Sequence, residues 1–317
     1  MELFALLVCV VGAAHCSCVA VVTLRVPGRD LLTIIQIQPS HNCHKSRLVM
    51  CAMNYPQTLR IGCAGLLLSV SLAAQSTAPG TLDSAAERYR PELAAAVEQC
   101  LTGAQTLRER IVAKDLAGAK KAWIASRVGW ERSEVFTSGF TSELDAAIDS
   151  WPSAVSGFHF IEARLFGAQQ MDVLPATDAL IYHLSNLRMM VRATPLTGQG
   201  MLEGTAKLAY EIGESKADGG ESRFSGTSLE DMRNNADGIA AAYKLVFEPE
   251  LRARDPELAA ATNARIEALR DELQPGSLAD IDSDKVRGTS EDVVLSLQKA
   301  ATALGLQRPS LSDLAQQ

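Results

Sequence analysis

The feature that most limits the fold of this chain is the spacing of its apolar residues between residues 80 and 305. From Leu82 to Val112 they recur every three or four positions, which is the period of an amphipathic helix. The same period predicts further helices at residues 116–136, 153–166 (or 157–166), 175–192, 199–215, 228–246, 256–274 and 289–304. No segment shows the strict alternation of a half-buried strand. The sequence therefore predicts an all-α fold of two packed helical bundles, joined near residues 192–228.

Two local signals refine this pattern. Pro91 falls inside the first helical stretch and predicts either a first turn or a kink there. Ser228 followed by Asp231 approximates a capping box, which sets the start of the helix at 228–246.

The first 75 residues are predicted to be an export region rather than part of the fold. An apolar run at 61–74 follows Arg60 and ends in small residues, which is the layout of a secretory signal. Met53 would be its natural start, making the preceding residues a mis-assigned extension, and cleavage is expected near Ala73 or Ala74. The alternative is a membrane anchor at Leu3–Thr23, which is near the ~20 residues that span a bilayer. The predicted division is thus 1–75 for the export region and 76–317 for the folded domain.

Cysteine, histidine and charge then narrow the chemistry of the folded domain. Only Cys100 follows residue 63, which excludes an internal disulfide framework or a cysteine zinc site there. The only histidines after residue 44 are His159 and His183. Residues 76–317 carry 25 basic and 35 acidic side chains, and this net charge of about −10 argues against nucleic acid. Cations are the more natural partners.

The strongest candidate for metal chemistry is His159 with Glu162. Residues three apart on a helix lie one turn apart on the same side, so an imidazole and a carboxylate can face a common point. Helical bundles build iron and manganese centres from such pairs on facing helices. The alternative is a packed histidine whose neighbouring Glu162 pairs with Arg164 or a lysine.

A second acidic pair lies upstream. Glu131 and Glu134 repeat the three-residue spacing, and Asp149 could add another oxygen ligand. The alternative is a solvated helix face on which these acids alternate with Arg127 and Arg132.

These residues form ordered motifs that carry a family resemblance. The segments Arg127-x-x-Trp130-Glu131-x-x-Glu134, Leu144-Asp145-x-x-Ile148-Asp149 and Gly157-Phe158-His159-x-x-Glu162 appear in that order, followed by Gly220-Glu221-x-x-Phe224-Ser225 and Ser228-Leu229-x-Asp231-Met232-x-x-Asn235-x-x-Gly238. Together they cover about residues 85–305. The chain resembles the imelysin-like peptidase superfamily, and within it the EfeO/EfeM-type components of periplasmic iron uptake.

The resemblance implies a fold and a ligand set. It implies two packed four-helix bundles with a metal site in the cleft between them. The residues matching the family's motifs are His159, Glu162, Glu131, Glu134, Asp149 and Glu221. Glu214 lies close to Glu221, and the sequence leaves open which of the two is the distal ligand.

Two departures from the family are visible. Once the predicted signal is removed, the residues before 80 have neither the length nor the Cys, His and Met ligands for the cupredoxin-like domain that precedes this one in EfeO, so the chain resembles the short EfeM form. Cys63 lies at the start of the apolar run at 61–74 and precedes most of it, so it does not stand where a lipid-anchored cysteine would.

Three functions are compatible with these patterns. The first is a periplasmic metal-binding protein of an iron-uptake system, and the resemblance implies an iron permease and a haem peroxidase as its partners. Iron is the expected metal, although zinc and copper also suit an imidazole with carboxylates. The second is a metallopeptidase, but the His-Glu-x-x-His signature and its inverse are absent, so we do not expect an enzyme. The third is a protein that binds a polysaccharide or another ligand in the cleft.

Overall fold

The structure of this protein is a computed structural model that describes residues 2–11, 16–26, 29–37, 80–149 and 155–310. The chain divides into two units, residues 1–72 and 73–317. The first unit contains strands β1 (Glu2–Val11), β2 (Cys16–Val26) and β3 (Arg29–Ile37). They pair antiparallel in the order β1-β2-β3, with Glu2 opposite Arg25 and Cys18 opposite Ile37. This sheet was not predicted from the sequence.

Two of these strands contain most of the stretch Leu3–Thr23 that was the alternative candidate for a membrane anchor. Among the described residues, no helix is both long and apolar enough to cross a bilayer. The predicted signal run at 61–74, with its cleavage point, lies outside the described residues.

The second unit is helical in every described element. Its helices are α1 (Thr81–Val112), α2 (Leu116–Phe140), α3 (Ser142–Asp149), α4 (Gly157–Glu162), α5 (Leu174–Ala193), α6 (Gly198–Glu211), α7 (Ser228–Ala242), α8 (Glu248–Arg254), α9 (Pro256–Glu272) and α10 (Ser283–Leu304). Single π-helical turns extend α4, α6 and α7 at Ala163–Gly167, Ile212–Lys216 and Tyr243–Phe247, and a 3₁₀ turn lies at Leu278–Asp280.

The predicted all-α fold is confirmed for this unit, and the differences lie at helix ends and in two short helices. The short helices α3 and α8 were not predicted. α10 begins six residues before the predicted 289 because the side chain of Asp282 accepts a hydrogen bond from the backbone N–H of Lys285, which caps the helix. α1 continues past Pro91, which is therefore not in its first turn.

The helices form the two packed groups that the periodicity predicts. In the first, α1 lies along α2 and α5, with α3 and α4 against α5; in the second, α6, α9 and α10 pack together with α7. α2 contacts α6 and α7 as well as α1, so it is common to both groups. The close approach of α1 and α2 requires Gly129, where a Cβ would lie 2.3 Å from the carbonyl oxygen of Ala96. The junction near 192–228 stays a prediction.

Candidate metal centre

One buried cluster of nine ionisable side chains and one asparagine lies where α2 meets both helical groups. Its members come from α2, the end of α3, α4, the π turn after α6, the following loop and α7. They are Arg127, Glu131, Glu134, Asp149, His159, Glu162, Lys216, Glu221, Asp231 and Asn235, and each is at most 9% exposed. Charged groups are this deeply buried only when they are paired or bind ions.

Three of these residues meet at a common point. His159 Nε2 lies 3.4 Å from Asp149 Oδ1 and 3.6 Å from Glu221 Oε1. One ligand atom from each of the three falls within 4.8 Å of the others. Two atoms that each bind one ion at ~2.1 Å are at most ~4.2 Å apart, so only a small closure would let the three groups share a metal. We call Asp149, His159 and Glu221 the triad.

The backbone before α4 explains how His159 reaches this point. Gly157 adopts φ 78°, in the left-handed region that favours glycine, and a Cβ there would lie 2.5 Å from the carbonyl oxygen of Ile148. The start of α4 therefore packs directly on the end of α3, which carries Asp149. The π turn Ala163–Gly167 comes directly after Glu162, and such turns occur often at functional sites.

Glu162 holds the far side of the imidazole. Its Oε2 is 3.1 Å from His159 Nδ1, the ring nitrogen that faces away from the other two triad members. Its Oε1 accepts hydrogen bonds from the backbone N–H of Phe224 (3.0 Å), the backbone N–H of Ser225 (2.8 Å) and the Ser225 hydroxyl (2.8 Å). Glu162 therefore orients His159 and, through these hydrogen bonds, holds the loop that carries Glu221 in position.

Asp149 is oriented by two residues of α2. The indole N–H of Trp130 donates to Asp149 Oδ2 at 2.7 Å, and the Arg127 guanidinium pairs with Asp149 Oδ1. Arg127 also pairs with Glu131 and lies 3.4 Å from Asp231 Oδ2. Its charge is thus shared among three carboxylates.

Lys216 occupies the other side of the cluster. Its Nζ lies 2.8 Å from Glu131 Oε2, 3.4 Å from Glu134 Oε2 and 3.7 Å from Glu221 Oε2. It also donates to Asn235 Oδ1 at 2.8 Å. The amide of Asn235 in turn donates to Glu131 Oε2 (2.6 Å) and Glu134 Oε2 (2.9 Å). The four oxygen atoms around Lys216 Nζ are Glu131 Oε2, Glu134 Oε2, Glu221 Oε2 and Asn235 Oδ1. We call them the lysine cage.

Burial opposes the charged form of each of these groups, and the neighbours decide which ones stay charged. Burial alone would lower the pKa of His159, but the surrounding carboxylates, Asp149 first, raise it to about 10. Burial would likewise raise the pKa of Glu221, but Lys216 and His159 lower it to about 2. Burial prevails at Glu134, whose pKa lies well above its usual range in spite of Lys216. The triad therefore favours a positive charge at the imidazole.

All six predicted ligands lie in this cluster, but they do not have the same neighbours. Asp149, His159 and Glu221 form the triad, whereas Glu131 and Glu134 surround Lys216 and Glu162 lies behind the ring. Glu214 is exposed, which favours Glu221 over it as the distal member. Direct ligation of a metal by any of the six residues stays a prediction.

Sequence reasoning missed the cations of the cluster and one acid. Arg127 entered the sequence prediction only as part of the alternative, a solvated face, although its spacing of four and seven residues from Glu131 and Glu134 places all three on one face of α2. Asp231 was predicted to cap α7, but no side-chain capping bond forms there. Its carboxylate instead accepts from the Ser222 hydroxyl at 2.6 Å and faces Arg127. No sequence signal marked Lys216.

Fold and site together define a class of protein, an all-α double bundle with a buried centre of carboxylates and one histidine. Residues 85–154 and 153–308 match the imelysin family (peptidase M75), which covers well over half of the chain. The chain belongs to this family.

Several proteins whose sequences are similar to this chain are named as EfeM or EfeO proteins. The chain is 29% identical over 201 residues to the iron uptake system component EfeM of Pseudomonas syringae, a match that covers 60% of this chain and 70% of that protein. It is 28% identical over 236 residues to an EfeM/EfeO family lipoprotein of Staphylococcus haemolyticus, covering 71% and 81%. It is 30% identical over 204 residues to the iron uptake system component EfeO of Escherichia coli, where the match covers 61% of this chain and 53% of EfeO.

A solved structure has the same fold. It is the crystal structure of an iron-regulated protein A precursor from Parabacteroides distasonis, with a TM-score of 0.59 and 16% identity, covering 72% of this chain and 97% of that one. At this identity the likeness concerns the fold alone.

Proposed function

We propose that this chain is an exported metal-binding protein of an EfeO/EfeM-type iron-uptake system, and that it binds one iron ion with Asp149, His159 and Glu221. The observation that carries the proposal is the triad, in which one imidazole nitrogen and two carboxylate oxygens from three separate segments face one point. An imidazole with carboxylates suits iron, and zinc and copper are alternative occupants.

The surroundings of the triad support a metal ion as the ligand. Each triad member is held from behind by another buried group: Asp149 by Trp130, His159 by Glu162, and Glu221 by Lys216. Metal sites depend on such supporting contacts, which fix the direction of each ligand. The excess of carboxylates around His159 favours a positive charge at this position, and a bound metal ion supplies one.

The names of similar proteins support iron uptake as the setting. EfeM and EfeO are named as iron uptake components, and the relative from Staphylococcus haemolyticus is named as a lipoprotein. We infer that this chain also acts outside the cytoplasm, where it binds iron and passes it to a permease, with a haem peroxidase as a further component of the system.

The experiment is an anaerobic titration of the purified protein with Fe²⁺, together with the variants His159→Ala and His183→Ala. His183 lies on α5 and does not belong to the triad, so it is a matched control for the loss of one imidazole. We expect one ion per chain in the wild type and in His183→Ala. In His159→Ala we expect the affinity to fall by at least about a thousandfold, equivalent to ~4 kcal/mol, with an unchanged helical circular dichroism spectrum.

Two results would contradict the proposal. Equal affinity in His159→Ala and the wild type would exclude the triad as the site. A wild type that binds no transition metal would favour the third function, a ligand-binding module of the same fold.

A further inference from the structure

The lysine cage resembles a metal site whose ion has been replaced by an amine. Lys216 is 1% exposed, and its Nζ is surrounded by oxygens of Glu131, Glu134, Glu221 and Asn235 at 2.8–3.7 Å. Carboxylate and amide oxygens are the ligands that Mn²⁺, Mg²⁺ and Ca²⁺ prefer.

Glu221 connects this cage to the triad. Its Oε1 faces His159 Nε2 at 3.6 Å, and its Oε2 faces Lys216 Nζ at 3.7 Å. Glu221 Oε2 is buried and has no hydrogen-bond partner among the described residues. One carboxylate therefore has one oxygen on the metal side and one on the lysine side, as a bridging carboxylate has in a two-metal centre.

Helical bundles with two-metal centres give the relevant contrast. They use acids and histidines from facing helices to bind two ions ~3.5–4 Å apart. This cluster has a similar set of side chains, with carboxylates on α2, α3, α4 and the loop, and one histidine. It differs in that the ammonium group of Lys216 lies where the oxygens of Glu131, Glu134, Glu221 and Asn235 converge.

We propose that Lys216 is a built-in cation that occupies the position of a second metal ion and so restricts this centre to a single ion. The inference rests on the proposed function, because it presupposes a first ion at the triad. Lys216 supplies the positive charge that Glu131 and Glu221 need, and it keeps the Glu221 carboxylate turned toward both His159 and the cage. When the metal ion leaves the triad, Lys216 stays in place and still balances the negative charge of the cage.

Removing the lysine distinguishes a filled metal position from an ordinary buried ion pair. If Lys216 only balances charge, its removal destabilises the protein and creates no new affinity. If it fills a metal position, its removal leaves four oxygen donors around a space that a divalent cation can enter.

The experiment compares the full-length wild type, Lys216→Met and Lys207→Met. Lys207 is the matched control, because it is also buried (3% exposed) and paired with a carboxylate, with Nζ 3.6 Å from Glu211 Oε1. Mn²⁺ is the probe, since it prefers oxygen ligands and does not change oxidation state under the conditions of the titration. Bound Mn²⁺ is counted by metal analysis after gel filtration and located by anomalous diffraction.

We expect one Mn²⁺ per chain in the wild type and in Lys207→Met, and two in Lys216→Met, with the second anomalous peak among Glu131, Glu134 and Glu221. One ion in Lys216→Met would overturn the inference and leave the proposed function intact. No ion in the folded variant would also overturn it, since Lys216 would then be required by the first site. No ion in the wild type would overturn both.

A second variant covers the case in which Lys216→Met does not fold. The double variant Lys216→Met/Glu131→Gln removes one buried positive and one buried negative charge together. We expect it also to bind two Mn²⁺, the second at least about tenfold more weakly than the first because one carboxylate of the cage is lost. A single ion in this variant would contradict the inference.

Discussion

The triad and the lysine cage are two halves of one buried cluster, both rich in carboxylates and joined by Glu221. They differ in the source of their positive charge. In the cage, Lys216 lies 2.8 Å from Glu131 Oε2, so the chain itself provides the cation. In the triad, the side chain between the carboxylates is an imidazole, which can give up a proton and become a metal ligand. The number of acids in a cluster therefore does not by itself fix the number of ions that the cluster binds.

The largest effect, on the stability of the fold, is expected from removing Arg127, the cation that pairs with acids of both the triad and the cage. Arg127 pairs with Asp149 of the triad and with Glu131 of the cage, and also faces Asp231. Removing one partner of a buried ion pair leaves the others uncompensated, so Arg127→Met should lower the free energy of unfolding by ~3–5 kcal/mol. Denaturant unfolding measures this change.

The control for Arg127 lies on the same helix. Arg132 is 44% exposed and pairs with Asp237 at 3.3 Å, and an exposed pair contributes at most ~1 kcal/mol. Arg132→Met should therefore have a much smaller effect. Equal losses in the two variants would contradict the prediction, because the buried ion pairs of Arg127 would then contribute no more than one exposed pair.

A smaller effect, confined to the triad, is expected from Glu162→Gln. The amide can accept hydrogen bonds from the loop, but it lacks the charge that supports His159. Loss of such a supporting group lowers metal affinity by ~10–100-fold. An Fe²⁺ titration measures the change, with Glu230→Gln as the control because Glu230 is exposed and pairs with Arg233. A loss as large as that of His159→Ala would instead favour Glu162 as a direct ligand.

Much of this arrangement could be predicted from the sequence, and the missing part has a physical reason. The period of apolar residues predicted the helices, and the spacing of His159 and Glu162 predicted that they lie together, because both depend on local geometry. Which acids meet which cations depends on contacts between distant segments. Lys216 is 85 residues from Glu131 in the sequence, and Arg127 is 104 from Asp231. Local spacing contains no information about such pairs. The six candidate ligands could therefore be predicted, but not which of them face His159 in the triad and which surround Lys216 in the cage.

The smallest effect concerns Glu211, a partly buried acid outside the cluster, and tests whether Lys207 fully compensates its charge. Burial and the neighbouring Asp145 raise the pKa of Glu211 to about 7, although Lys207 lies 3.6 Å away and opposes this shift. Because the unfolded chain loses this proton near its ordinary pKa of 4.5, the folded state binds more protons between those two values. The free energy of unfolding should therefore fall as the pH rises from about 5 to 7.5. Glu211→Gln removes this dependence and should be more stable than the wild type by ~1–2 kcal/mol at pH 8, with little difference at about pH 4. Glu203 is an exposed position on the same helix, so Glu203→Gln should have the same dependence of unfolding free energy on pH as the wild type. If the curve of Glu211→Gln ran parallel to that of the wild type, the prediction would be wrong, and Lys207 would compensate Glu211 as fully as Lys216 compensates Glu131.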